Sequence, residues 1–203
     1  MLPRRAACCS VPGPGCSLRC TDVQDASAAP RLDVPGGLRI EWCGPEAAET
    51  MREVTATAFA AQGQLEPPSG AVSETVEDVR RDLAGGRGVL AYAGATVVGA
   101  CRVTVRSEPD RFHVRRLAVL PAMQRRGIAR AVMCWLEHEA VSEGMHEITL
   151  GVRNGLPQNF LLYEGLGYEH VGDHGFWSEL RKPLRPPPAT PTPEAPEANG
   201  PSH

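Results

Sequence analysis

Lysine is almost missing from this chain: of its 21 Lys+Arg residues only Lys182 is a lysine. Such a bias points to GC-rich coding, so clustered arginines carry less functional information here than in a lysine-rich protein. A strong charge of either sign is missing too. The formal net charge is −3 and the pI about 6.1, so bulk electrostatics gives no argument for a nucleic-acid partner. No apolar run is long enough to span a bilayer, and none of these features calls for a membrane partner. The start, "MLPRRAACCSVPGPGCSLRC", has arginines but no continuous apolar segment behind them, as a secretory signal would need. The expected location is the cytoplasm.

Metal-ligand spacing is likewise lacking. Cys8, Cys9, Cys16 and Cys20 cluster near the start without the two C-x2-4-C pairs that a tetrahedral zinc site uses, so no metal is expected. Cys43, Cys101 and Cys134 stand singly in hydrophobic contexts and read as small buried hydrophobes in a reducing compartment. Residues 1–36 are rich in Pro, Gly, Ala and Cys without a period, and 186–203 form a proline-dense tail. Both are expected to be disordered, because neither can bury enough apolar surface to offset ordering. One folded domain, residues 37–185, lies between them.

Within it "LRIEW" alternates as a strand. "PEAAETMREVTATAFAAQ" opens with Pro45 at a helix N1 position and spaces Met51, Val54, Ala58 and Phe59 helically. A second helix is predicted from Ser73, through Val76, Val79 and Leu83, to Gly85-Gly86. "GVLAYAGATVVGACRVTV" reads as a hairpin turning at Gly94-Ala95, and "RFHVRRLAVLP" as a strand ended by Pro121. A helix from Arg126 carries Ile128, Val132, Trp135 and Leu136 on one face. "HEITLGV" is a strand, "PQNFLLYEGL" a helix stopped by Gly167, and "GFWSELRKPL" a last strand. The expected class is α+β: a mixed, mostly antiparallel sheet of six strands flanked by helices.

One strand breaks its own pattern. In "FHVRRLAV", Phe112 and Val114 share one parity while Leu117 and Val119 share the other. Either a β-bulge near Arg115-Arg116 supplies an extra residue, or the strand is buried on both faces.

The next segment poses an electrostatic question. "QRRGIAR" puts Gln124, Arg125, Arg126 and Gly127 at the mouth of a helix, with Arg130 just inside. A helix N-terminus has unpaired amides and a partial positive charge, and its usual stabilising neighbour is Asp or Glu. Cations there are explained by an anion from outside, held on the amides from Arg125 to Ala129. Gly127 removes a Cβ from the anion's approach. A capped, solvated helix start is the plainer alternative. A nucleotide P-loop is excluded, since no Gly-Lys-Ser/Thr follows.

"LAVLPAMQRRGIARAVM" resembles the acetyl-CoA-binding segment of the GCN5-related N-acetyltransferases (the GNAT superfamily): a strand, a proline, then Gln/Arg-x-x-Gly-x-Gly/Ala opening a helix. Ala129 stands where the second glycine is commoner. Further on, "NFLLYEGLGY" looks like the family's later helix. The order of elements agrees from Leu38 to Leu184. The resemblance implies the acyl-CoA N-acyltransferase (GNAT) fold, acetyl-CoA as co-substrate, and an amine acceptor, small molecule or peptide, within a monomer or a homodimer. It makes Tyr163 the acid that protonates the CoA sulfur, against the alternative of a packed core aromatic. It sets Asn159 and the backbone of Leu117, Ala118 and Val119 along the pantetheine arm. Gln124, Arg125, Arg126, Gly127, Ile128, Ala129 and Arg130 surround the pyrophosphate.

A general base is less legible. Many relatives carry a glutamate on the strand before this loop, and this strand has His113, Arg115 and Arg116 with no carboxylate. His113 can serve, with an ordinary pKa near 6.5. A surface histidine, a water relay or an already neutral amine are the alternatives. "GQLEPPSG" and "GDHGFW" are expected to border the acceptor, with Glu66, Asp173, His174 and Trp177 as candidates for gripping a cationic or aromatic amine. No nucleophilic cysteine is implied. The competing class is a catalytically silent acyl-CoA-binding module.

Overall fold

The computed structural model describes residues 34, 37–63, 65–107 and 110–184. The leader with its cysteine cluster and the proline-dense tail lie outside the described residues. Seven strands form one sheet in the order β1-β2-β3-β4-β5-β7-β6. They are β1 (Leu38–Cys43), β2 (Arg87–Ala93), β3 (Thr96–Arg106), β4 (Arg111–Val119), β5 (Glu147–Arg153), β6 (Glu169–Asp173) and β7 (Trp177–Pro183). The helices are α1 (Ala48–Ala60), α2 (Val76–Ala84), α3 (Ile128–Ser142) and α4 (Pro157–Glu164). All neighbouring strands pair antiparallel except β4 and β5, which α3 joins in parallel.

Each face of the sheet has its own apolar layer. Met51, Val54 and Ala58 of α1 and Val79 and Leu83 of α2 pack with Leu90, Ala100 and Ala118 on one face. Ile128, Val132 and Leu136 of α3, with Tyr163 of α4, pack with Phe112, Val114, Ile148 and Leu150 on the other. The helical spacing of these residues is therefore the spacing of their burial. Among the described residues no helix is long and apolar enough to cross a membrane.

Several boundaries differ from the sequence reading. Pro45 opens a 3-10 turn, and α1 proper starts at Ala48. Thr75, not Ser73, caps α2. Its hydroxyl accepts from the Asp78 N–H while the Asp78 carboxylate accepts from the Thr75 N–H. Helix α3 begins at Ile128, two residues after Arg126, because Gly127 has a φ of 80°. Helix α4 ends at Glu164 with Gly165 as its C-cap, and Gly167 belongs to the following turn. Strand β6 was not foreseen. It is an edge strand of "EHVGD" with almost every side chain exposed, so it has no apolar alternation to announce it.

The parity break in β4 is a bulge. Ala100 pairs with Ala118 and Arg102 with Arg115, so Arg116 and Leu117 together oppose Cys101. Arg116 takes a φ of 56° there. The extra residue returns Leu117 and Val119 to the side of Phe112 and Val114, where all four join the α3 core.

Candidate functional site

Strands β4 and β5 stay paired only from Arg111↔Glu147 to Val114↔Leu150. Beyond Val114 they part, and a cleft of about 460 Å³ opens between them. His113, Arg115, Gly151 and Arg153 line it from the parity facing α1 and α2. Val114, Val152, Asn159 and Tyr163 line it from the α3–α4 side. The gap thus connects the two faces of the sheet. The bulge puts Leu117 on its wall, while Ala118 and Val119 lie outside the lining, on the stretch of β4 that has no β5 partner.

Tyr163 is 8 % exposed, its ring edge-to-face with Tyr168 at 5.8 Å between centroids. Burial, helped by nearby Cys101, pushes its phenol well above the ordinary value, so it stays a proton donor across any working pH. Asn159, one turn earlier on α4, lines the same cleft. His113 shares a hydrogen bond of 2.9 Å between its Nδ1 and Thr149 Oγ1. Burial first, then the charges of Arg106 and Arg115, lower its pKa to about 4.

Arg102 of β3 and Arg115 and Arg116 of β4 are held by α2 and the segment before it. Arg102, 4 % exposed, donates to Glu74 at 2.5 Å and to Asp82 at 2.8 Å. Arg115 donates to Asp82, and Arg116 to Glu74 at 2.9 and 3.1 Å. Successive residues of a regular strand point to opposite faces. The positive φ of Arg116 lets it follow Arg115 toward the same side. Sequence reasoning missed this network, since nothing linear ties residues 74, 82, 102 and 116 together.

At the mouth of α3 the backbone alternates in hand. Arg125 has a φ of 62° and Gly127 of 80°, on either side of Arg126. Alternation of this sort turns successive amides to one side. A non-glycine residue in that region costs about 1–2 kcal/mol, and such outliers gather at binding sites. No side chain caps α3 and no acid lies in its first turn. Gln124 donates from Nε2 to the Val119 carbonyl at 3.1 Å, tying the loop to β4. Arg130 donates to the Gly165 carbonyl at 2.6 Å, so its charge is spent on the end of α4. Ile128 is buried in the core and can offer the loop only its amide, while Ala129 is half-buried. Residues 124–130 lie outside the lining of the cleft, beside the strand edge that leads to it.

The two loops expected at the acceptor border do line the cleft, through Pro67, Pro68, Ser69 and Gly70 and through Phe176 and Trp177. Of the acidic candidates, Glu66 lines a smaller adjoining hollow. Asp173 is occupied by Ser178 at 2.6 Å and His170 at 2.9 Å. His174 stacks on Trp177 with 4.1 Å between centroids. Arg153, also on the lining, had no sequence signal of its own, and Phe59 was read only as an apolar position of the first helix. Among the described residues no group of three His, Cys, Asp or Glu is placed to hold a metal ion.

The mixed sheet of seven strands flanked by four helices has the fold of the acyl-CoA N-acyltransferases. The family model described as the acetyltransferase (GNAT) family matches residues 53–168, more than half of the chain, and the chain belongs to that family. Among solved structures it is similar to the PaiA N-acetyltransferase of Thermoplasma acidophilum in complex with coenzyme A. That match has 18% identity and a TM-score of 0.64, covering 73% of this chain and 99% of the other. An acetyltransferase of Thermus thermophilus is 23% identical with a TM-score of 0.55, covering 72% and 97%. A spermidine/spermine N-acetyltransferase of Vibrio cholerae is 14% identical with a TM-score of 0.54, covering 72% and 95%. No curated protein matches the sequence.

Proposed function

We propose that the protein is a cytoplasmic N-acetyltransferase that moves the acetyl group of acetyl-CoA onto a primary amine by direct attack in a ternary complex. The observation that carries this reading is the parting of β4 and β5 beyond Val114, which joins two faces of the sheet at Tyr163. A donor approaching from the α3–α4 side and an acceptor from the α1–α2 side meet in that gap.

Acetyl-CoA supplies an activated acyl carbon and a thiolate leaving group. The amides of Arg125 to Ala129 hold its pyrophosphate, with the side chains of Gln124, Arg125 and Arg126 around them. The open edge of Leu117, Ala118 and Val119 takes the pantetheine arm as a sheet edge takes an added strand, and Asn159 hydrogen-bonds it from α4. One amide of that edge donates to the oxyanion as the amine nitrogen bonds to the acyl carbon. As the carbon–sulfur bond breaks, the Tyr163 hydroxyl gives its proton to the sulfur and is reprotonated from solvent.

His113 cannot extract a proton from an alkylammonium ion. A gap of about six pKa units between them, from about 4 to about 10, is roughly 8 kcal/mol uphill. The amine therefore arrives neutral, and His113 accepts a proton only after the new bond has made the nitrogen acidic. That role requires Nδ1–H to donate to Thr149 Oγ1, which leaves Nε2 as the acceptor.

Thiol release from acetyl-CoA over a panel of amines tests the proposal, with turnover of at least one amine expected. The weak basicity of His113 and the lack of a carboxylate on β4 favour a second reading, a silent acyl-CoA-binding module. Tight coenzyme A binding without turnover of any amine establishes that module and overturns the enzyme.

A further inference from the structure

The charged side chains on the described lining of the cleft are cations, while Glu179, on β7 opposite Gly151, acts on His113 from outside that lining. The lining holds Arg115, Arg116 and Arg153, together with His113 and the rings of Phe59, Phe176 and Trp177, and among the described residues it includes no aspartate or glutamate. Glu74 and Asp82 neutralise only part of this from behind. Three guanidiniums, those of Arg102, Arg115 and Arg116, face these two carboxylates, leaving positive charge in excess.

Arg153 adds more. It donates to the Pro67 carbonyl and lies 4.7 Å over the Phe176 ring, and among the described residues it makes no ion pair. Those contacts fix its plane while leaving N–H donors for a ligand. It stands on β5 with the parity of Thr149, the residue that holds His113. Glu66 lines only the smaller hollow that shares Arg153.

We infer that the acceptor is an amine that also bears an anionic group, a carboxylate above all, which Arg153 grips by paired hydrogen bonds while the amine reaches the gap between His113 and Tyr163. This rests on the acetyl-transfer reading above. Guanidinium geometry matches a carboxylate in two parallel bonds. The three aromatic rings cover an apolar body between the two ends. A polyamine brings further positive charges to a wall that already has an excess of them, and is disfavoured.

Matched acceptors test the inference on the full chain: amino acids and dipeptides with a free carboxylate, the same compounds as amides, and spermidine. Thiol release is followed at saturating acetyl-CoA. Binding of the same acceptors to the coenzyme A-loaded protein is measured by calorimetry. The free carboxylates should exceed their amides at least tenfold in kcat/KM. Arg153→Gln should erase that preference, and Arg153→Lys should keep part of it, with melting temperatures confirming that both variants fold. Preference for the amides or spermidine, or a preference that survives R153Q, overturns the inference while leaving acetyl transfer standing. If no acceptor is turned over, calorimetry decides. Carboxylate binding that R153Q abolishes upholds the anion subsite and sinks the transferase, whereas no carboxylate binding sinks the subsite too.

Discussion

Replacing Tyr163 by phenylalanine removes one oxygen atom and leaves the ring. The ring is buried in the α3–α4 core with Tyr168 edge-on at 5.8 Å, and phenylalanine keeps that packing. Tyr163 lines the cleft, and loss of its hydroxyl should change stability by about 1 kcal/mol or less. In the proposed role of acid toward the leaving sulfur, the hydroxyl should be worth about 10²–10⁴ in kcat, or roughly 3–5 kcal/mol. Coenzyme A affinity should stay nearly unchanged, because the reacting sulfur is the only part of the donor that the hydroxyl serves. The measurements are thiol release with both substrates saturating, calorimetric binding of coenzyme A and a thermal melt. Because burial holds the phenol above its ordinary value, the variant should lose height at every pH without losing an alkaline limb. A kcat within threefold of the parent refutes the acid role. A large fall in melting temperature assigns Tyr163 to packing instead.

Three further outcomes are expected. Gly127→Asp should weaken coenzyme A at least tenfold by calorimetry, while Gly127→Asn, which tolerates the same positive φ, should weaken it less; equal losses would trace the effect to backbone strain. His113 has a folded-state pKa of about 4, below its unfolded value near 6.5. Its contribution to stability is therefore present above 6.5 and lost as pH falls toward 4. Denaturant melts at pH 7 and 4.5 should show a smaller loss in His113→Asn than in the parent, and an acid limb of kcat/KM set by His113 should fall near 4, not 6.5. Lys182→Met should cost about 3–5 kcal/mol, since it strands Glu137, 6 % exposed and 2.7 Å from the ammonium. Burial already raises the Glu137 carboxyl, so the variant should regain stability as pH is lowered from 7 to 5; a pH-independent loss would contradict this.

The sequence by itself determined the class and the order of every helix and strand except β6. Helical spacing at Met51, Val54 and Ala58, and at Ile128, Val132 and Leu136, is burial written in one dimension, and these residues sit where that spacing puts them. The parity break in "FHVRRLAV" was also legible, because a pleated strand admits few ways to bring Phe112 and Leu117 to one side. The start of α3 near Gly127 could be read from that glycine and the change from strand to helix pattern. Tertiary structure decided what local pattern cannot encode. An exposed edge strand such as β6 buries nothing that recurs every second residue, so it had no signature. Arg102 reads as one more arginine until folding brings Glu74 and Asp82 to it, residues 28 and 20 positions away. The low basicity of His113 comes mainly from burial, then from the charges of Arg106 and Arg115; of these only Arg115, two residues along the same face of β4, is visible in the strand pattern. Most of all, the charge of the acceptor wall is a sum over β4, β5 and two loops. Arg115 and Arg116 of β4 and the distant Arg153 of β5 become one electrostatic surface only when the sheet parts between them.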